Sequence, residues 1–162
     1  MNRRTTCMLS GMTLLGLAVA AVPQAGLAQN DPAIGTWKLN LAKSTYSPGP
    51  PPRSQTITTQ AEGQGHKYTV EGVDAQGNPL KAVFMTFNDG KSHPVTGVPA
   101  FDAASDKMVS DSTGWVIRTK DGKVVQTLIS EFSADGKTWS VTTAGVTPNG
   151  QQLYNVSVYD KQ

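Results

Sequence analysis

Turn chemistry recurs so often in this sequence that it leaves little room for helices. Asp89-Gly90, Asp121-Gly122, Asp135-Gly136 and Asn149-Gly150 are pairs of residues that tolerate positive φ, as tight hairpin turns require, and Asp74 to Asn78 is a looser version. The last three pairs are spaced 14 residues apart, enough for two half-strands and a turn but not for a helix between them. Between the turns, β-branched and aromatic residues dominate, as in Tyr68–Val73, Val83–Phe87, Val124–Phe132 and Leu153–Tyr159. No stretch after residue 28 keeps a helical period for three turns. The chain reads as all-β.

About ten strands are expected, near 34–41, 54–61, 66–73, 79–87, 91–95, 106–111, 114–120, 123–132, 137–144 and 151–159. Joined mostly by tight turns, they form an antiparallel up-and-down meander. Long exposed edges invite aggregation, so a meander of 8–10 strands is expected to close into a barrel. Two longer connections interrupt it, the Pro-rich stretch 47–52 and the run from Gly97 to Ser105.

The first residues follow a different pattern. Met-Asn-Arg-Arg precedes a short apolar run through Leu14, Leu17 and Val22, which ends at Gly26-Leu27-Ala28. A basic start, a greasy centre and small residues at the end describe a secretory signal peptide over 1–28, cleaved after Ala28 or alternatively after Ala25. The run is too short and too rich in Gly and Ala for a stable span, so no membrane span is expected once it is removed. Residues 29–162 then form a single domain, periplasmic or secreted.

Removal of Arg3, Arg4 and Cys7 leaves basic and acidic residues balanced at 12 each and no cysteine. Such a domain depends on packing, with no disulfide to help. Its neutral charge and dispersed lysines also argue against nucleic acid as a partner.

Few residues suggest chemistry. Zinc needs three or four clustered ligands, and the domain offers only His66 and His93, so no metal and no cofactor are expected. His66 stands beside Gly63 and Gly65, where an exposed turn is expected. Gly90-Lys91-Ser92 and Gly136-Lys137-Thr138 lack both the earlier glycine and the following helix of a phosphate loop. There is no G-x-S-x-G. Catalysis, if present, would fall to His93, Glu131 and Arg118, with Glu71 or Asp102 as alternative carboxylates to orient His93.

Alternation separates two faces on each late strand. Leu153, Asn155, Ser157 and Tyr159 oppose Tyr154, Val156 and Val158, and Trp139, Val141 and Thr143 oppose Thr138, Ser140 and Thr142. A lining that mixes Thr, Ser and Gln with aromatics suits a barrel with space for a small ligand, although a solidly packed barrel remains the alternative. The residues expected to line it are Tyr68, Phe84, Trp115, Arg118, Trp139 and Tyr154, with the Pro-rich loop framing the mouth.

Gly35-Thr36-Trp37 at the start of the first strand resembles the G-x-W signature of lipocalins. That resemblance implies a calycin-type barrel in which Trp37 plugs the closed end. It also implies an arginine stacked on that Trp, for which Arg118 is the interior candidate. Gly-Thr-Trp-Lys-Leu-Asn at 35–40, Ser-Pro-Gly-Pro-Pro-Pro at 47–52 and Val-Tyr-Asp-Lys-Gln at 158–162 resemble small secreted bacterial proteins of unassigned function. Strand count and domain length resemble the ten-stranded fatty-acid-binding barrels. The Arg-x-Tyr pair that holds a carboxylate in those barrels is absent, because Ser157 stands two places before Tyr159.

Three functions follow as expectations. The first is a carrier of a small apolar or amphipathic molecule. The second is a small cavity enzyme (an isomerase, cyclase or lyase), and the third is a structural envelope protein with a filled barrel.

Overall fold

The computed structural model describes residues 31–162, so the proposed signal peptide lies outside the described residues. Eleven strands follow one another: β1 (Gly35–Leu39), β2 (Thr45–Ser47), β3 (Ser54–Glu62), β4 (Gly65–Val73), β5 (Pro79–Thr86), β6 (His93–Pro94), β7 (Ala103–Met108), β8 (Thr113–Lys120), β9 (Lys123–Phe132), β10 (Thr138–Val146) and β11 (Gln152–Lys161). A single 3-10 turn at Leu41–Lys43 separates β1 from β2. All ladders are antiparallel and join the strands in the order β5-β4-β3-β1-β11-β10-β9-β8-β7-β6. The result is a nearly closed barrel.

The turns follow their residues. Asp121 and Gly122 both take positive φ, 50° and 74°, the conformation of a mirror-image hairpin turn, and β8 and β9 pair directly on either side of it. Asp74 closes its loop by accepting from the Asn78 backbone N–H at 2.8 Å, so the carboxylate does the work of a backbone turn.

Two expected strands need correction. No strand was expected over 42–47, but β2 pairs with β11 beside β1, and Tyr46 shares a 2.9 Å hydrogen bond with the Ser157 hydroxyl. Asn40 supplies the bend between them by accepting from the Lys43 N–H and donating to Asp160. The strand expected at 106–111 instead runs from Ala103 to Met108. Residues 109–112 make the turn, because the Ser110 hydroxyl accepts from the Thr113 N–H.

The core sits at one end of the barrel, here called the lower end. Trp37 is fully buried there, between Phe132 at 5.6 Å and Trp139 at 5.7 Å, and its indole N–H donates to the Ala33 carbonyl. Tyr159, Ile57, Val70 and Leu39 complete the cluster. Burying a side chain of this size contributes several kcal/mol, on the order of 3–5 by truncation.

The ladder does not close on itself. β5 and β7 face each other across a seam with no strand pairing between them. Asp106 bridges it, since its carboxylate accepts from the backbone N–H groups of Phe87 and Asn88 at 3.1 and 2.9 Å. The Asn88 side chain returns a bond to the Met108 N–H.

Candidate functional site: the barrel interior

Above the Trp37 cluster the barrel encloses a cavity of about 420 Å³. This exceeds the low end of ligand pockets, roughly 300 Å³. The space exists because several inward positions are small or polar. Ala82 and Ala104 line it, as do Ser130, Thr143, Asn155 and Ser157. Its apolar wall includes Val70, Leu80, Phe84, Val116, Leu128 and Val141.

The expected lining residues separate into those the strands turn inward and those they do not. Tyr68 and Phe84, cross-strand neighbours on β4 and β5, stack with ring centroids 5.4 Å apart, and both line the cavity. Trp139 lines it from the lower end, with its indole N–H bonded to the Ser130 hydroxyl at 2.6 Å. Arg118 lines it from β8.

Trp115 is a partial case. It belongs to the opposite face of β8 from Gly114 and Val116, and it meets the cavity only at its edge, beside Lys107 and Gly90. Tyr154 is a correction. It points outward with 56% of its surface exposed, and the other face of β11 (Leu153, Asn155, Ser157 and Tyr159) lines the interior. The inward polar groups are satisfied there: Ser157 by Tyr46, and Asn155 by the Ser47 N–H.

The three residues expected to share any catalytic work are not brought together. His93 lies outside the cavity lining, bonded to Asp89 at 3.0 Å and packed on Phe87. Glu131 is exposed on the outward face of β9, beside Thr127 and Ile129, whereas Leu128, Ser130 and Phe132 face inward. Only Arg118 faces the interior.

Arg118 does not stack on Trp37, as the lipocalin resemblance implied. Lys161, from the last strand, takes that place, with its ammonium 4.9 Å from the Trp37 ring. The Arg118 guanidinium instead lies 4.4 Å over the ring of Phe101 and donates to the Gln126 side-chain oxygen at 3.0 Å. Among the described residues no carboxylate forms an ion pair with it. Loss of water pulls its pKa down to about 10, and it stays cationic at neutral pH. Tyr159 lies near enough to act on its charge; burial raises that phenol, which donates to Gln55 at 2.8 Å.

His66 is a residue that sequence reasoning placed wrongly. It lies within β4, lines the cavity, and holds Asp31 at 2.8 Å. Asp31 also accepts from the Ala33 N–H, which ties the segment before β1 to the lower end. Each partner shifts the other: the hydrogen bond to His66 lowers Asp31, and the bond to Asp31 raises His66. Inward alternation with Tyr68 and Val70 on β4 was the available clue, and the flanking glycines masked it.

Among the described residues, no group of three His, Cys, Asp or Glu side chains is placed to hold a metal ion. No helix there is long and apolar enough to cross a membrane, which says nothing about strands.

No family model matches this sequence, and no curated protein matches it. Among solved structures, the chain is similar to the crystal structure of zebrafish ileal bile acid-binding protein complexed with cholic acid. The TM-score is 0.49 at 11% sequence identity, and the match covers 81% of this chain and 99% of that one.

Proposed function

We propose that this protein is an exported carrier, periplasmic or secreted, that binds a small amphipathic molecule inside its barrel with the anionic end of the ligand at Arg118. The observation that carries this reading is a permanent, half-buried cation facing a largely apolar cavity, whose partners are a neutral amide and an aromatic face. A desolvated charge without a counter-ion is costly. A carboxylate, sulfonate or phosphate seated there recovers that cost, while the apolar body of the ligand is desolvated against Phe84, Leu128 and Val141. Pro52 and Leu80 bound the same region, so the Pro-rich loop frames the mouth.

The test is a titration with 1-anilinonaphthalene-8-sulfonate, followed by competition with dodecanoate. The dye is expected to brighten and dodecanoate to displace it. Arg118→Met keeps an unbranched apolar stem and removes the guanidinium charge, and it is expected to raise both dissociation constants by at least about tenfold. A flat titration, or unchanged constants in the variant, would defeat the carrier reading. Export is tested separately by sequencing the N-terminus of protein taken from the cell envelope, which is expected to begin at Gln29.

A further inference from the structure

The outside of the barrel divides into two unlike halves. Across β1, β3, β4 and β5, one outward row of cross-strand neighbours reads Lys38, Thr56, Glu71 and Lys81, three charges in four. Across β8 to β11, two adjacent outward rows carry none. Trp115, Ile129, Thr142 and Val156 form the first, and Ile117, Thr127, Ala144 and Tyr154 form the second. Between them lies an inward row of cavity-lining residues, Val116, Leu128, Thr143 and Asn155. Ile129 and Tyr154 keep 46% and 56% of their surface exposed. Single exposed apolar side chains are ordinary, whereas a contiguous uncharged patch marks an interaction surface.

Its size admits a second copy of the chain. The next outward row, Thr113, Glu131, Ser140 and Val158, adds a single charge. Four strands about 4.8 Å apart, with three outward positions about 6.8 Å apart on each, give a face of roughly 19 by 20 Å. Ser105 on β7 and Ser47 on β2 extend the second row without charge. Two copies face to face then cover about 1,000 Å², the lower limit of a specific interface.

The pattern is also self-complementary. A twofold axis perpendicular to the sheet, between β9 and β10 and midway between the two uncharged rows, exchanges β8 with β11 and one row with the other. It sets Trp115 of each copy against Tyr154 of the other, and Ile129 against the small Ala144. The same axis carries Glu131 towards the β8–β9 turn of the other copy, where Lys123 stands. Glu131 and Lys123 are both exposed, and neither has an ion-pair partner among the described residues.

We propose that the outward face of β8–β11 is the interface of a twofold dimer of this chain, with two barrels packed back to back. Its small area makes the dimer weak and reversible, with a dissociation constant on the order of 10–100 μM. Dimerisation does not require a ligand in the cavity.

Sedimentation velocity between about 5 and 500 μM is expected to show the purified protein passing from monomer to dimer. Ile129→Asp puts a charge at the centre of the face and is expected to raise the dissociation constant at least about tenfold. Val83→Asp, at a side chain equally exposed (47%) on the charged half, is expected to leave it unchanged. Tyr154→Ser, a mild change at a more exposed position, is expected to weaken the dimer too and serves if Ile129→Asp fails to fold. Glu131→Lys is expected to weaken association, and adding Lys123→Glu to restore it. A chain still monomeric at about 500 μM overturns the proposal. So does a dimer that is indifferent to Ile129→Asp and Tyr154→Ser, or one equally sensitive to Val83→Asp. A monomer that instead pellets with vesicles of phosphatidylglycerol and phosphatidylethanolamine assigns the face to a membrane, which also overturns it.

Discussion

His66 and Asp31 clasp each other at 2.8 Å in a half-buried setting, and the signs of their shifts fix when that clasp matters. Asp31 is lowered from 3.8, so its share of stability is present above that value and lost as pH falls through the lowered one. His66 is raised from 6.5, so its share is complete below that value and lost as pH rises through the raised one. The pair therefore stabilises most between about 3.8 and 6.5. His66→Gln is expected to cost roughly 0.5–1 kcal/mol at pH 5.5 and much less at pH 8.5, measured by urea denaturation at each pH. A cost independent of pH would mean that His66 contributes packing alone. Trp37 makes a harsher demand. It has no exposed surface and touches two aromatic rings, so Trp37→Ala is expected to cost on the order of 3–5 kcal/mol or to abolish folding. This residue was legible in the sequence because Gly35-Thr36-Trp37 opens the first strand. The lysine above it was not legible, since Lys161 meets it only through the pairing of β1 with β11.

At the level of strands, turn residues located most of the hairpins correctly, because Asp-Gly and Asn-Gly act locally through backbone conformation. Alternation was also correct in separating faces, but it could not say which face is inside when both are mixed. On β11 the outward face carries Tyr154 and Val156, while the inward face carries Asn155 and Ser157. Hydrophobicity alone favours the wrong choice. What reverses it is β2, whose Tyr46 and Ser47 bond those two inward side chains, and a three-residue strand ahead of a proline leaves almost no trace in the sequence. The sheet also draws close at certain glycines. A Cβ on Gly72 would collide with the Ser54 carbonyl oxygen on β3. Gly72→Ala is therefore expected to destabilise the barrel by roughly 1–3 kcal/mol, because two paired backbones must move apart. Gly63 is the control, since nothing lies within 4 Å of a Cβ placed there and only its φ of 61° opposes a side chain. Gly63→Ala is expected to cost about 1–2 kcal/mol, from its left-handed backbone alone. Thermal melts of the two variants check the order, and a larger loss at Gly63 would mean that backbone conformation outweighs the close approach.

Among the described residues, eleven strands are joined by backbone ladders, and the one seam between β5 and β7 is bridged mainly by side chains. The β5–β7 seam depends on Asp106, whose carboxylate takes two backbone N–H groups that a neighbouring strand would otherwise satisfy. A strand ladder spreads its loss over many bonds, whereas this seam rests on a few, two of them to the Asp106 carboxylate beside one from Met108 to Asn88 and one from Gly90 to the Asp106 carbonyl. Asp106→Ala is expected to expose the amides of Phe87 and Asn88 to solvent and to speed their hydrogen exchange markedly. Exchange along β5 should follow, because its outer edge has no strand partner. Protection on β1 and β11, which lie at the opposite point of the strand order, should be unchanged. The same substitution separates two routes into the cavity. If ligand enters between β5 and β7, loosening the seam should raise association and dissociation rates together and leave affinity for dodecanoate within about twofold. If ligand enters past the Pro-rich loop at the Arg118 end, the rates should stay at their original values while the amides of β5 exchange faster. Stopped-flow displacement of the dye, run beside exchange on the same variant, distinguishes the two. Unchanged exchange at Phe87 and Asn88 would show that the barrel holds its seam by some means other than Asp106.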